Sequence, residues 1–370
     1  MNTEARSRIF FRVDSSVAIG TGHAMRCLAL AAQLASRGNP CHFICRAHAG
    51  HIGARIEAEG HRLTLLPLDH SSKGGPGSVN DDYQSWLGGT WQVDAEQTRA
   101  VLGTDMTALL VVDHYALDGK WESALKPNTQ TLLAIDDLAN RSHSCDFLLD
   151  HNAGRVAADY TRFLPGQAIC LAGPEFALLR PEFLAARGER LGRACKPRIL
   201  SVLVNMGGVD HVNATSMVLR ALRNCGLSSD CQISVVLGLN APWLSEVVGL
   251  AGQSALPCQV MVDVQDMASL AASSDIAIGS AGVAALERCC VGLPSVLVVL
   301  AENQRPGALA LHAAGVAELI ESLDEIEVAL PRKLASLDCP ERRSAASAAA
   351  AKLVDGRGVD RVLDALGFNQ

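Results

Sequence analysis

Ile9-Phe10-Phe11-Arg12-Val13-Asp14-Ser15-Ser16, followed by Gly20-Thr21-Gly22-His23-Ala24-Met25-Arg26, is the stretch that decides the fold. Its first five residues form an apolar, β-like run that empties into a Ser/Gly loop. The loop opens an Ala- and Leu-rich pattern that predicts a helix over roughly 22–37. Strand, glycine turn and helix in this order begin a βαβ unit. Strand ends and helix N-termini converge in a crevice in such folds, and ligands bind there. His23 stands in the first turn of the helix and Asp14 at the end of the strand. Two roles stand about even for this pair: groups that cap the turn, or a base with its orienting carboxylate. A helix N-terminus disfavours imidazolium, which would leave the ring able to accept a proton.

The same alternation continues outward. Strand-length apolar runs recur at 42–45, 63–66, 108–113, 131–136 and 147–150, then at 199–205, 232–237, 259–262, 275–279 and 295–300. Continuous apolar runs of this kind are buried parallel strands, and the helical patterns between them imply doubly wound sheets. The fold class is therefore α/β. The charged stretch Arg187–Pro197 lacks a strand pattern and divides the two series. Domains are expected over 1–187 and 197–340, with an Ala-rich helical segment, 341–370, long enough to pack back on the first. The Ser/Gly/Pro-rich run from His70 to Asp82 is expected to be a surface loop.

Composition narrows the function classes. The 370 residues are 49% hydrophobic and 4% aromatic, enough for two cores of helices on sheets. Net charge is -7, with 32 basic and 39 acidic residues. No broad basic face is implied, so nucleic acid is not an expected partner. The N-terminus lacks a signal-peptide pattern, and no run of about 18 apolar residues is present to span a membrane. The twelve cysteines form no C-x-x-C pair and read as reduced thiols of a cytoplasmic protein. Cys41, His42, Cys45, His48 and His51 match no common zinc spacing, so no metal is expected there. Neither a Walker A lysine nor G-x-G-x-x-G occurs, and no cofactor is expected. Oligomeric state is open, and a monomer is compatible with the sequence.

Polar groups cluster at strand ends. Asp113-His114-Tyr115, Asp136-Asp137 and Asp150-His151-Asn152 close three strands of the first half. One carboxylate of a pair such as Asp136-Asp137 usually caps the next turn. In the second half, Asn205-Met206-Gly207-Gly208-Val209-Asp210 and Gly279-Ser280-Ala281-Gly282 each follow a strand and open a helix. Glycines there let backbone N–H groups approach phosphate oxygens. Glu287, within the second of these helices, can take the vicinal hydroxyls of a ribose or simply face solvent. Asn303-Gln304 adds a third polar group at the same edge.

These residues carry a resemblance. From Val260 to Gly315 the chain resembles the nucleotide-binding half of MurG-type N-acetylglucosaminyltransferases, through Asp266-Met267, Ser280, Glu287 and Gly292-Leu293-Pro294. Over residues 8–320 it is more similar to the UDP-2,4-diacetamido-2,4,6-trideoxy-β-L-altropyranose hydrolase (PseG) family. The motifs are Phe11–Ser16, Gly20–Arg26, Asp113–Tyr115, Ile135–Asp137, Cys145–Asn152, Gly173–Arg180, Asn205–Asp210 and Glu302–Gln304. The resemblance implies two Rossmann-like domains of GT-B type facing each other across a cleft. It implies metal-independent, inverting attack of water at C1 of the UDP-sugar, with UDP leaving. The free sugar then enters pseudaminic acid biosynthesis for flagellin or surface-glycan modification. His23 falls on the family's general base, with Asp14 and Tyr115 expected to position sugar or water. The backbone near Val264 would read uracil and Glu287 the ribose. Gly207, Gly208, Ser280, Ala281 and Gly282 would hold the diphosphate, and Ser15, Gly22, Arg26, Asn303 and Gln304 complete the expected contacts. Val283-Ala284-Ala285 departs from the family by lacking a hydroxyl, which leaves phosphate contact to backbone and Ser280.

Two alternatives remain. A glycosyltransferase on the same fold would pass the sugar to an acceptor. A non-catalytic module would bind a UDP-sugar without turnover.

Overall fold

A computed structural model describes residues 8–68 and 81–369. The chain forms two compact units, one of residues up to Leu178 together with those from Val359 onward, the other Leu179–Gly358.

The first unit runs β1 (Ile9–Val13), α1 (Gly22–Ser36), β2 (Cys41–Arg46), α2 (Gly53–Ala58), β3 (Arg62–Leu66), α3 (Asp81–Gln84), α4 (Trp91–Leu102), β4 (Thr107–Asp113), α5 (Gly119–Leu125), β5 (Thr129–Ile135), β6 (Phe147–Asp150) and β7 (Ile169–Ala172). Its seven strands are all parallel, in the order β3-β2-β1-β4-β5-β6-β7. Strand alternation sends Ile9, Phe11 and Val13, with Leu109 and Val111, into one core beneath α1. Phe10, Leu110 and Val112 enter a second core on the opposite face, with Trp121 of α5. Both faces are covered, as an all-parallel sheet requires. Strand order reverses between β1 and β4, which opens the crevice at their C-terminal ends.

The second unit runs α6 (Pro181–Leu191), β8 (Ser201–Asn205), α7 (Ala214–Leu222), β9 (Gln232–Leu237), α8 (Leu244–Gly252), β10 (Cys258–Val262), α9 (Met267–Ser273), β11 (Ile276–Ser280), α10 (Val283–Val291), β12 (Ser295–Val298), α11 (Arg305–Ala313), β13 (Ala317–Ile320), α12 (Ile326–Leu337) and α13 (Pro340–Leu353). Its sheet is also parallel, in the order β10-β9-β8-β11-β12-β13, and reverses between β8 and β11. The last helix, α14 (Gly358–Ala365), adds Val359, Val362 and Leu363 to the α1-side core of the first unit.

The units divide at Leu178–Leu179, ahead of the charged stretch that the sequence singles out. That stretch is structured. Arg187 of α6 donates to the carbonyls of Cys290, Ala351 and Val354, at the C-terminal ends of α10 and α13. A cation there satisfies carbonyls that have no intrahelical partner. Likewise 341–370 is not one helical segment, since α13 stays in the second unit and only α14 joins the first. Of the run from His70 to Asp82, the part before Asp81 lies outside the described residues, and Asp81 itself opens α3.

Candidate active site

The turn after β1 is tight. Gly20 donates to the Ser16 carbonyl at 2.9 Å and adopts φ +81°, a conformation that favours glycine. It delivers Gly22 and His23 to the start of α1, whose N-cap Thr21 makes no side-chain capping bond.

His23 Nδ1 lies 2.6 Å from Asp113 Oδ1 at the end of β4. A carboxylate that accepts only fixes the proton on Nδ1 and turns the Nε2 lone pair outward. Arg26, one turn further along α1, donates to the same carboxylate through Nε at 2.6 Å and Nη2 at 2.7 Å. Its Nη1 reaches Asp137 at 3.3 Å. Burial alone would raise the Asp113 carboxyl, but the Arg26 guanidinium and His23 hold it well below the usual carboxylate range. The Tyr115 ring stands edge-on to His23, with centroids 4.6 Å apart. Burial drives the Tyr115 hydroxyl well up, helped by Asp137.

Asp14 is not the orienting carboxylate that the sequence offers. It shares the face of β1 with Phe10 and Arg12, opposite the face that α1 covers. Asp113, in register with Val13, follows Leu109 and Val111 on the α1 face. Asp14 instead pairs with fully buried Arg12 at 2.7 and 2.8 Å and accepts from the Arg46 backbone. Arg12 and Arg46 both hold Asp94 of α4, which also accepts from Trp121 Nε1 at 3.0 Å. Burial would raise Asp14, yet Arg12 outweighs it and holds the carboxyl at about 2. His114 accepts from the Ala116 N–H through Nδ1 and points Nε2 at Asp14, 3.4 Å away. Burial lowers it to about 4, so it is neutral at pH 7. Arg26 and Ser15, expected to touch substrate, each have partners within the first unit. Arg26 is buried on its two carboxylates, and Ser15 Oγ accepts from the Ile52 N–H at 3.0 Å.

A second buried network flanks the first. His143 meets Glu122 at 2.7 Å and Asp136 at 3.8 Å. Burial opposes protonation, but the two carboxylates prevail and raise His143 to about 9. Asp150 accepts from Tyr160 and Asn152, and burial lifts its carboxyl to about 7. Cys41 and Cys45 lie in the core and His42 Nε2 meets Thr64, so these residues do not converge as ligands.

In the second unit the expected phosphate loops meet at the β8/β11 reversal. A Cβ placed on Gly207 would lie 3.9 Å from Ser280 Oγ, and one on Gly282 would lie 3.7 Å from Gln304 Nε2. Gly238, after β9, packs so closely on the Gly208 carbonyl that a Cβ there would collide with it. The α7 N-terminus is already filled, because Asp210 accepts from Ala214 and Thr215 at 2.9 and 2.8 Å. At α10 the N-cap is Gly282, with no side-chain cap. Gln304 is anchored by the Leu300 N–H at 3.2 Å, and Asn303 precedes it in a single 3-10 turn. Ala281 is buried; Val264 is half-buried beside Asp263, whose φ is +52°. Glu287 is half-buried and not alone, since Arg180 Nη2 lies 3.5 Å from its Oε1. Burial raises its carboxyl against the pull of Arg180. Arg180 also donates to the Gln265 carbonyl at 3.4 Å, next to Val264.

No family model matches the chain. Solved structures match it nearly end to end. MurG of Acinetobacter baumannii covers 98% of this chain and 100% of its own, with TM-score 0.62 and 13% identity. LpCGTa, solved in complex with UDP, covers 97% and 99%, with TM-score 0.61 and 15% identity. The chain has a GT-B-type fold. Among curated proteins it is similar to the UDP-2,4-diacetamido-2,4,6-trideoxy-β-L-altropyranose hydrolase of Campylobacter jejuni, 25% identical over 214 residues. That match covers 57% of this chain and 64% of the hydrolase. It is also similar to the spore coat polysaccharide biosynthesis protein SpsG of Bacillus subtilis, 27% identical over 213 residues, 54% of this chain and 58% of SpsG. The chain thus matches less than two thirds of each of these relatives' length. Among the described residues no helix is long and apolar enough to cross a membrane.

Proposed function

We propose that this chain is a cytoplasmic UDP-sugar hydrolase. Its substrate in this reading is UDP-2,4-diacetamido-2,4,6-trideoxy-β-L-altropyranose, and water attacks C1 with inversion. The observation that carries the reading is the 2.6 Å contact of His23 Nδ1 with Asp113, which leaves Nε2 as the base. His23 Nε2 takes a proton from water as its oxygen bonds to C1. The C1–O bond breaks, and its electron pair leaves with UDP. Asp113 stabilises the imidazolium that forms, and Arg26 keeps Asp113 ionised and in place. The uncapped start of α10, Ser280 and Gln304 offer N–H and O–H donors for the diphosphate, without a metal. Glu287 would accept from the ribose hydroxyls, and the backbone at Val264 would meet the uracil. The free sugar would feed a nonulosonic-acid-forming step.

The GT-B glycosyltransferase neighbours favour a second reading, in which the same base deprotonates an acceptor hydroxyl. One assay separates the two. The protein is incubated with the UDP-sugar in 18O-water, and UDP, the anomer formed and label at C1 are followed. Hydrolysis gives UDP and labelled, inverted sugar, and His23→Ala abolishes both. UDP release that depends on an added acceptor supports the transferase. Equal UDP release by His23→Ala overturns the base assignment.

A further inference from the structure

We propose that Tyr83 and Trp86 build, with Tyr115, an aromatic wall that takes the apolar face of the sugar beside His23 and favours a sugar with methyl groups; this rests on the UDP-sugar reading above.

Tyr115 is the shared ring. It meets His23 at 4.6 Å, Tyr83 at 4.8 Å and Trp86 at 5.7 Å between centroids. Tyr83 and Trp86 also pack edge to face at 4.9 Å. Leu87, next in the chain, is fully buried in the core, whereas Tyr83 and Trp86 are only half-buried. The core therefore claims Leu87 and leaves the two rings at the end of the unit where the base sits.

The wall has its own foundation. Gly88 adopts φ +61°, and a Cβ there would come within 3.0 Å of Arg46 and His48. His48 Nε2 in turn lies 3.9 Å from Asp14. The Arg12–Asp14–Asp94 network, which does not reach His23, thus seats the segment that carries the rings. Sugar C–H and methyl groups are the partially positive edges that aromatic faces attract. A 6-deoxy, N-acetylated sugar presents more of them than a common hexose. One methyl-for-hydroxymethyl difference in such a pocket is worth roughly 10- to 100-fold in discrimination.

The test compares Trp86→Ala, Trp86→Phe and Tyr83→Ala with wild type, each checked for folding by thermal denaturation. The probes are UDP-2,4-diacetamido-2,4,6-trideoxy-β-L-altropyranose, UDP-N-acetylglucosamine and UDP. Trp86→Ala is expected to raise KM for the deoxy sugar about tenfold and to affect UDP-N-acetylglucosamine less. UDP inhibition should stay unchanged, and Trp86→Phe should restore most of the loss. An unchanged KM in the folded alanine variants overturns the wall. So does an equal loss of UDP affinity, which would assign the rings to the nucleotide. If wild type turns over neither sugar, the hydrolase reading fails separately, and calorimetry decides the wall. Tighter binding of the deoxy UDP-sugar than of UDP, lost in Trp86→Ala, supports it; no such difference overturns it.

Discussion

Replacing Asp113 by asparagine tests the dyad most directly. Asp113 accepts three short bonds, from His23 Nδ1 and from Arg26 Nε and Nη2. An amide has one oxygen, so at least one of these donors would face an NH2 group. If the NH2 meets His23, Nδ1 must become the acceptor and the proton moves to Nε2, which removes the base. The expected loss in kcat is about a thousand- to ten-thousand-fold, the scale seen when a base-orienting aspartate becomes asparagine. Arg26 loses the charge of Asp113 and keeps one bond to the amide oxygen together with Asp137, at 3.3 Å. Breaking a buried pair on one side costs about 3–5 kcal/mol, and Asp137 should hold the loss near the lower end. UDP release at saturating substrate reads the first effect and urea unfolding the second. The pH sign follows from a carboxyl held low in the fold. Its stabilisation is complete above the unfolded pKa, about 4, and disappears as pH falls through the folded value. The stability gap between wild type and variant should therefore be constant from about pH 5 to 7 and narrow only in acid. A folded Asp113→Asn protein with wild-type kcat would refute the reasoning.

Two further outcomes follow from the same geometry. His143 is raised to about 9, so its stabilisation is present below about pH 6.5 and lost as pH rises through the folded value. Urea unfolding of His143→Gln should show a deficit on the order of 3 kcal/mol at pH 6 that shrinks towards pH 10. Gly238→Ala places a Cβ on the Gly208 carbonyl; calorimetry should show UDP affinity falling at least tenfold, on the scale of a misplaced charged hydrogen bond, while His23 in the first unit is untouched.

Most of the fold is legible in the chain because buried parallel strands write themselves as apolar runs. The two strands that the runs omit, β7 (ICLA) and β13 (AELI), are four-residue sheet edges, and β13 carries Glu318. Neither is long or apolar enough to stand out. Arg187 misplaces the unit boundary because a charged helix that caps other helices reads like a linker. His23, the proposed base, is legible from its place after a glycine turn. Its partner is not, because Asp113 lies 90 residues away and arrives only when β4 pairs with β1. Strand alternation does hold one clue, since Asp14 shares the face of Arg12 and Asp113 that of Val111. Tyr83 and Trp86 escape notice because a four-residue helix and the three-residue 3-10 turn after it have no periodicity to read.

The return of α14 to the α1-side core has a consequence for biosynthesis. Domains ordinarily complete themselves from the N-terminus as they emerge from the ribosome. Here Val359, Val362 and Leu363 are core residues of the first unit, and they are made only after all of Leu179–Gly358. The second unit can finish folding while the first still waits with an uncovered apolar seam along α1. During translation, the half that carries His23 is the one most exposed to chaperones and proteases, and the last helix acts as its closing bolt.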